Sequence, residues 1–318
     1  MRIGLTGGGS SVESIVRQAQ QAEDDGFSSL WYANGVAGDP LVAMAIAGRE
    51  TTSIELGTAV LQTYPCHPLL QANRVVAAAN AMGRPGLTLG LGPSHRPVVE
   101  NVLGGRYDHP GRSTEEYVQI VAALLRDGDV DFDGTDWSTH SGGRMAKADH
   151  PVPLLLAALS PRMLRIAGTF ADGVVLWMAS AAAIETSIMP RLRSAATAAG
   201  RPEPRVVAGL PVAVHDNPEE AREAVAATAV GYGRMANFER IIAAGGGAEV
   251  PDVAILGDES AVRTQLEELV AAGTTDIWAQ PVAVGDDREQ RRASLRRTRD
   301  LLSALARDQP PLGRAPSP

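Results

Sequence analysis

Residues 153–164 read Pro-Leu-Leu-Leu-Ala-Ala-Leu-Ser-Pro-Arg-Met-Leu, and residues 171–176 continue with Ala-Asp-Gly-Val-Val-Leu. Both apolar runs lack polar alternation, which is typical of strands buried on both faces of a parallel sheet. Between them, Pro161 suits the first turn of a helix and Ser160 is a preferred N-cap residue. The stretch therefore predicts a strand, a turn, a helix and a second strand. Backbone N–H groups at such a helix start can bind a phosphate.

The same alternation of strand and helix repeats along the rest of the chain. Further strands are predicted at residues 2–6, 28–32, 54–61, 87–92, 206–214 and 275–280, and helices at 12–25, 68–82 and 113–126, with another starting at Asp39-Pro40. About eight strands over some 300 residues indicate a single closed (β/α)8 TIM barrel, with a doubly wound sheet as the alternative.

Two long segments interrupt this repeat. Residues 127–150 are polar and rich in glycine, and residues 216–255 look helical around a Gly245-Gly246-Gly247 break. Long loops on a compact scaffold are often functional. We therefore expect one barrel domain over residues 1–306 with insertions at about 127–150 and 216–255. Residues 307–318, rich in proline, are expected to form a disordered tail.

Composition limits the partners. The net charge is −8 and the pI about 5.3, which argues against nucleic acid or an anionic membrane as the main partner. Cys66 is the one cysteine, so an internal disulfide is excluded. No apolar run reaches the roughly 18 residues of a membrane span, and the start is too short for a signal peptide. We expect a soluble cytoplasmic protein.

Several kinds of site are disfavoured by spacing. Gly7-Gly8-Gly9 resembles a dinucleotide loop, but the third required glycine falls on Val12 and strand two ends without an acid for ribose. The six histidines show no metal-binding spacing, so no metal site is predicted. No Gly-x-Ser-x-Gly elbow is present and Cys66 has no evident base, which disfavours covalent catalysis.

Five short motifs resemble, in order and at barrel spacing, the bacterial-luciferase-like superfamily, specifically its branch of coenzyme F420-dependent oxidoreductases. They are Ala-Glu-Asp-Asp-Gly-Phe-Ser-Ser-Leu-Trp at 22–31, Leu-Gly-Thr-Ala-Val at 56–60, Tyr-Pro-Cys-His-Pro at 64–68, Leu-Gly-Leu-Gly at 89–92, and Ala-Ala-Leu-Ser-Pro-Arg-Met at 157–163 with Ala-Asp-Gly at 171–173. The resemblance extends over about residues 1–285.

The resemblance implies a deazaflavin, coenzyme F420, lying across the carboxyl ends of the barrel strands. It implies a non-prolyl cis peptide at Ala59–Val60 behind the ring, and contacts to the cofactor from Ala59, Val60, Gly92, Ser94, Ala158, Leu159, Ser160 and Met163. Asn34 stands where relatives often carry Asp or His beside the ring. An amide can orient a ligand but cannot shuttle a proton, so we assign Asn34 an orienting role.

His95 lies in the rigid loop Pro93-Ser94-His95-Arg96-Pro97 at the expected mouth of the barrel. An ordinary histidine pKa of about 6.5 suits proton transfer. We therefore predict His95 as the proton-transfer residue, with Asn34 as the second catalytic residue. Gly7, Tyr64, Tyr107 and His109 are predicted to line the substrate pocket, and His67 to pack or cap beside strand three.

The resulting hypothesis is an F420-dependent oxidoreductase that transfers a hydride between deazaflavin C5 and a small organic substrate. One alternative is an FMN-dependent monooxygenase of the same superfamily, and another is a deazaflavin-binding protein without turnover. Relatives often dimerise through barrel helices, so a homodimer is expected. Six arginines of the terminal helix (Arg288, Arg291, Arg292, Arg296, Arg297 and Arg299) form either a solvated face or an anchor for the cofactor's polyglutamate tail.

Overall fold

The computed structural model describes residues 1–33, 38–229, 231 and 235–308. The strands in chain order are β1 (Arg2–Gly7), β2 (Ser29–Tyr32), β3 (Glu55–Thr58), β4 (Leu61–Gln62), β5 (Leu87–Gly92), β6 (Asp131–Asp133), β7 (Ser138–His140), β8 (Leu154–Ala157), β9 (Gly173–Trp177), β10 (Arg205–Val214), β11 (Ile255–Gly257) and β12 (Asp276–Pro281).

The α-helices follow the strands on the outside. They are α1 (Val12–Asp24), α2 (Pro40–Arg49), α3 (Pro68–Met82), α4 (Pro110–Asp127), α5 (Pro161–Phe170), α6 (Ala181–Ala183), α7 (Met189–Ala198), α8 (Pro218–Thr228), α9 (Ala236–Ala244), α10 (Glu259–Ala271) and α11 (Arg288–Arg307). Short π-helical turns cover Val98–Val102 and Ile184–Ile188, and a 3₁₀ turn covers Val250–Val253.

Eight parallel strands close into a ring in the order β1, β2, β3, β5, β8, β9, β10 and β12, and β12 pairs with β1. The register runs from Arg2 opposite Asp276 to Leu5 opposite Ala279 across this closing seam. The predicted TIM barrel is therefore confirmed, and the doubly wound alternative is wrong, because an open sheet has no such closing pair.

The third barrel strand is not the single strand predicted over residues 54–61. It stops at Thr58, the peptide Ala59–Val60 is cis as the resemblance implied, and β4 then pairs with the end of β5. At the break, the Thr58 hydroxyl replaces ladder bonds, because it accepts from Gly90 N–H and donates to Gly90 O, both at 2.8 Å.

Two helical regions differ from the sequence expectation. Helix α4 begins at Pro110, three residues before the predicted start, since proline fits the first turn. Residues 181–198 were not predicted as helical, and Pro190 in their middle argues against one long helix. The structure places Pro190 in the first turn of α7, directly after the π-helical turn.

The two inserted segments have structure of their own. Residues 127–150 contain the antiparallel hairpin of β6 and β7, with Phe132 opposite Thr139. Residues 216–255 contain α8, α9 and the 3₁₀ turn. The predicted tail falls largely outside the described residues, which end at 308. Over the described ranges, no helix has the length and apolarity to cross a membrane.

The barrel interior is filled below its carboxyl end. At the amino end, Arg2 and Arg205 form ion pairs with Glu55 and Asp276. Above them lies an apolar layer made of Trp31, Leu155, Val175, Val207 and Trp278. Gly57 leaves room for the first of these rings, since a Cβ there would lie 2.3 Å from Trp31. Because this interior is packed, the open surface for chemistry lies at the carboxyl ends of the strands.

Candidate active site at the carboxyl ends of the barrel strands

A small apolar surface closes the top of the barrel. Ala59, Val60, Ala157 and Trp177 are partly exposed and pack on the apolar layer beneath. Gly92 allows Val60 and Ala157 to pack closely in this surface, since a Cβ on Gly92 would lie 2.7 Å from Val60 Cγ2 and 3.2 Å from Ala157 Cβ. We call these five residues the floor. A floor of this kind suits a flat, uncharged ring system.

A helix start lies directly beside the floor. Ser160 is the N-cap of α5, as predicted, and its hydroxyl accepts a hydrogen bond from Met163 N–H at 3.4 Å. Pro161 occupies the first turn, Ala158 is buried and Leu159 is partly exposed. The first-turn N–H groups of a helix have no intrahelical acceptor, but here Pro161 has no N–H and Met163 N–H is capped by Ser160. Arg162 N–H and the Ser160 hydroxyl are therefore the donors left for a ligand. The helix dipole adds positive potential there. This end of α5 can therefore hold a phosphate.

A second serine-capped start follows the next strand and was missed in the sequence. Met178 adopts a left-handed backbone with φ 65°, and the Ser180 hydroxyl accepts from Ala183 N–H at 3.3 Å. A serine immediately before three alanines was the available signal. The end of α9 covers this position, because a Cβ on Gly245 would lie 2.1 Å from Ser180 Oγ.

The loop after β5 carries three of the predicted residues together. Ser94 has a left-handed backbone with φ 63°, and its hydroxyl is buried without a hydrogen-bond partner among the described residues. The Tyr107 hydroxyl donates to Ser94 O at 3.0 Å. Arg96 lies 5.5 Å above the Tyr107 ring and donates to Tyr107 O at 2.8 Å, which fixes the loop.

His95 is half-buried and packs against Phe238 of α9, with ring centroids 5.8 Å apart. Burial lowers the pKa of His95, so its imidazole is neutral at neutral pH. Tyr64 packs on Tyr107, with ring centroids 5.7 Å apart. Burial and the neighbouring Tyr64 raise the pKa of Tyr107 to about 12, against the opposing charge of Arg96. His95 and Tyr107 therefore carry no charge at neutral pH.

The remaining predicted residues lie elsewhere. Gly7 leaves room beside it, but the Tyr32 ring fills that room, because a Cβ on Gly7 would lie 2.3 Å from Tyr32. His109 is exposed at the start of α4 and makes no capping bond with its side chain. The His67 ring caps α3 by accepting from Leu69 N–H at 3.2 Å, as predicted. Asn34 lies outside the described residues.

Two of the six arginines singled out in α11 form ion pairs with carboxylates among the described residues. Arg297 pairs with Glu259 and Asp216, and Arg299 pairs with Asp25. These pairs support the interpretation of α11 as a solvated helix face.

The sequence profile of the luciferase-like monooxygenases matches residues 2–305, so the chain belongs to this family. A 5,10-methylenetetrahydromethanopterin reductase from Methanolobus tindarius is 28% identical over 166 residues, which are 52% of this chain and 50% of that protein. An F420-dependent glucose-6-phosphate dehydrogenase from Kineococcus radiotolerans is 26% identical over 205 residues, or 59% of each chain. The chain thus spans about half the length of the curated relatives it matches.

Solved structures share the barrel at lower identity. The oxygenating constituent of 3,6-diketocamphane monooxygenase from Pseudomonas putida, in complex with FMN, superposes with a TM-score of 0.70. It is 17% identical, and the match covers 95% of this chain and 96% of that one. At this identity the likeness shows the common fold.

Proposed function

We propose that this protein is a coenzyme F420-dependent oxidoreductase that transfers a hydride between deazaflavin C5 and a small organic substrate. The observation that carries the proposal is the apolar floor at the barrel mouth, with a serine-capped helix start at its edge. The F420 dependence named for the Kineococcus relative supports the choice of cofactor.

The residues present fit such a cofactor. A flat ring needs a floor without side chains that rise into it, and Gly92 provides this because even a methyl group would collide with Val60. A phosphate on the cofactor's side chain needs donors, and the Ser160 end of α5 supplies them. We assign the ring to Ala59, Val60 and Gly92.

The side chain and phosphate of the cofactor are assigned to the two neighbouring loops. The orphaned hydroxyl of Ser94 faces a ligand in this proposal, which would explain why it lacks a protein partner. The phosphate would be held by Leu159, Ser160 and Met163, and the buried Ala158 would support this turn. When bound, the deazaflavin supplies the carbon that gives or takes a hydride.

The protein's own part is positioning and proton transfer. His95 accepts or donates the proton at the substrate heteroatom, since its neutral imidazole has one nitrogen of each kind. Tyr64 and Tyr107 form a wall of the substrate pocket. Asn34 keeps its predicted orienting role.

An FMN-dependent monooxygenase is the second candidate, because the FMN-bound camphane monooxygenase shares the whole fold. Oxygen dependence separates the two. We expect substrate-dependent bleaching of oxidised F420, or recovery of colour from the reduced form, under anaerobic conditions. Turnover that needs FMN and oxygen would contradict the proposal. Tight F420 binding with no turnover over a broad panel would indicate a carrier protein instead.

We also propose that the protein forms a homodimer through its barrel helices. Helices α2 and α3 pack together and expose Val42, Ile46 and Leu70, which are 55, 40 and 54% exposed. Neighbouring exposed apolar side chains favour association. Light scattering after size exclusion should give twice the chain mass, and Ile46→Glu should shift it towards the monomer. A monomeric wild type would contradict this proposal.

A further inference from the structure

Two pairs of packed rings lie in the loops after β4 and β5 and on α9. Tyr64 and Tyr107 pack at 5.7 Å with ring planes tilted by 44°, and His95 and Phe238 at 5.8 Å with planes tilted by 51°. The hydrogen bond from the Tyr107 hydroxyl to Ser94 O joins the two pairs, because His95 follows Ser94 in the chain. We call Tyr64, His95, Tyr107 and Phe238 the aromatic arc.

Tyr64 and His95 of the arc border the floor. Tyr64 comes two residues after Gln62, which pairs with Gly92 at the end of β5, and His95 comes three residues after Gly92. Tyr64, His95 and Tyr107 are partly exposed, so part of each ring remains open to a small molecule. Phe238 is buried behind His95.

Among the residues that the structure describes, the arginines nearest the arc in the chain are already paired with carboxylates. Each arginine of residues 93–112 forms an ion pair, and so does Arg162 at the start of α5. The pairs are Arg96–Glu100, Arg106–Asp108, Arg112–Asp136 and Arg162–Glu115. His95 is neutral at neutral pH. An anionic group on a substrate would therefore lose water here without gaining an unpaired cation from these described segments.

We propose that the aromatic arc binds a neutral, ring-bearing organic substrate and discriminates against phosphorylated ones. The proposal rests on the proposed function, since the arc would hold that substrate above the floor where hydride transfer takes place. Aromatic faces favour offset or tilted packing with another ring, while a phosphate needs paired donors. The expected specificity differs from the sugar phosphate named for the Kineococcus relative.

Phe238 is the residue of the arc that comes from a separate part of the chain. It lies on α9, within the segment at 216–255 that is added to the barrel, and reaches His95 from there. Because it supports a ring of the arc without bordering the floor, we assign it a specificity role. Its replacement should change substrate affinity more than cofactor affinity.

Two matched probes test this inference on the full chain. Benzyl alcohol carries a neutral ring, and 4-(hydroxymethyl)phenyl phosphate carries the same ring with a phosphate. Each is titrated by calorimetry into the protein with and without oxidised F420, after cofactor binding has been measured alone. We expect the Kd of benzyl alcohol to be at least about tenfold lower than the Kd of the phosphate ester, because the phosphate would lose water without gaining a cation in exchange.

Variants locate the binding site. Phe238→Ala and the smaller change Phe238→Leu should weaken benzyl alcohol binding by about 2- to 10-fold, because the His95 ring loses the aromatic contact that supports it, while F420 affinity stays within twofold. Phe170→Ala, at the far end of α5, should leave both affinities unchanged.

Equal or tighter binding of the phosphate ester, no binding of either probe, or Phe238 variants that bind benzyl alcohol like the wild type would each overturn the inference. A failure to bind F420 in the first step would instead refute the proposed function. The probe titrations without cofactor would then still decide whether the arc binds neutral rings.

Discussion

Replacing Gly92 by alanine tests whether the floor carries the ring of the cofactor. The new Cβ would lie 2.7 Å from Val60 Cγ2 and 3.2 Å from Ala157 Cβ. Carbon atoms in contact are normally about 3.5–4.0 Å apart, so Val60 would have to move by roughly 1 Å. Overpacking of this kind costs about 1–3 kcal/mol.

We expect this cost to appear mainly in cofactor affinity. Val60 and Ala157 are partly exposed floor residues, so they can yield only upward, into the place assigned to the ring. At about 1.4 kcal/mol per factor of ten, the Kd for F420 should rise roughly 5- to 150-fold. Quenching of tryptophan fluorescence is a suitable assay, because Trp177 belongs to the floor.

Two controls separate this effect from general damage. A Cβ on Gly8 would meet nothing within 4 Å, so Gly8→Ala should bind F420 within about twofold of the wild type. In the double variant Gly92→Ala/Val60→Ala the closest clash is absent, and part of the affinity should return. If Gly92→Ala binds F420 like the wild type, with an unchanged melting temperature, the ring does not lie on this floor.

Further predictions concern His95 and the ion pairs of the barrel. His95→Ala should cut turnover while F420 affinity stays nearly unchanged. In the wild type, burial lowers the pKa of His95, so kcat/KM for the reaction direction in which His95 accepts a proton should fall only below about pH 6.5. Equal turnover would remove His95 from the mechanism. Arg205→Met leaves two buried carboxylates with one arginine, so thermal unfolding should show a loss of about 3–5 kcal/mol, or about 4–8 °C, whereas Arg297→Met on the surface should cost under about 1 kcal/mol. Similar losses in both would contradict the burial argument. Burial alone raises the pKa of Asp276, but Arg205 and Arg2 outweigh it and hold the pKa below its ordinary value, so this stabilisation is present above about pH 4 and is lost on acidification. Arg205→Met should therefore move the acid-unfolding midpoint upward, and an unchanged midpoint would refute this.

The sequence predicted those parts of the site that depend on local patterns. Ser160 followed by Pro161 is a local signal for the start of a helix, and the structure has Ser160 as the N-cap of α5. The cis peptide Ala59–Val60 was implied by the resemblance at residues 56–60. The residue pattern at 54–61 alone predicts one unbroken strand, because the break depends on the Thr58 hydroxyl reaching Gly90, 32 positions along the chain. Only the resemblance, through its cis peptide, indicated an irregularity at this place.

Long-range contacts account for the rest of what sequence reasoning missed. His95 was selected from its loop, but its partner Phe238 lies in a segment without a readable motif, and only the folded barrel brings the two together. Gly7 was predicted to line the substrate pocket, while the room beside it is occupied by the Tyr32 ring of the neighbouring strand. In both cases the decisive contact is tertiary.

The most direct test of the proposed function is a parallel titration of the purified protein with oxidised F420 and with FMN, followed by tryptophan fluorescence. The account predicts micromolar or tighter binding of F420 and much weaker binding of FMN. The reverse preference would move the function to flavin chemistry with oxygen. Binding of neither would contradict the assignment of the floor and the Ser160 helix start as a cofactor site.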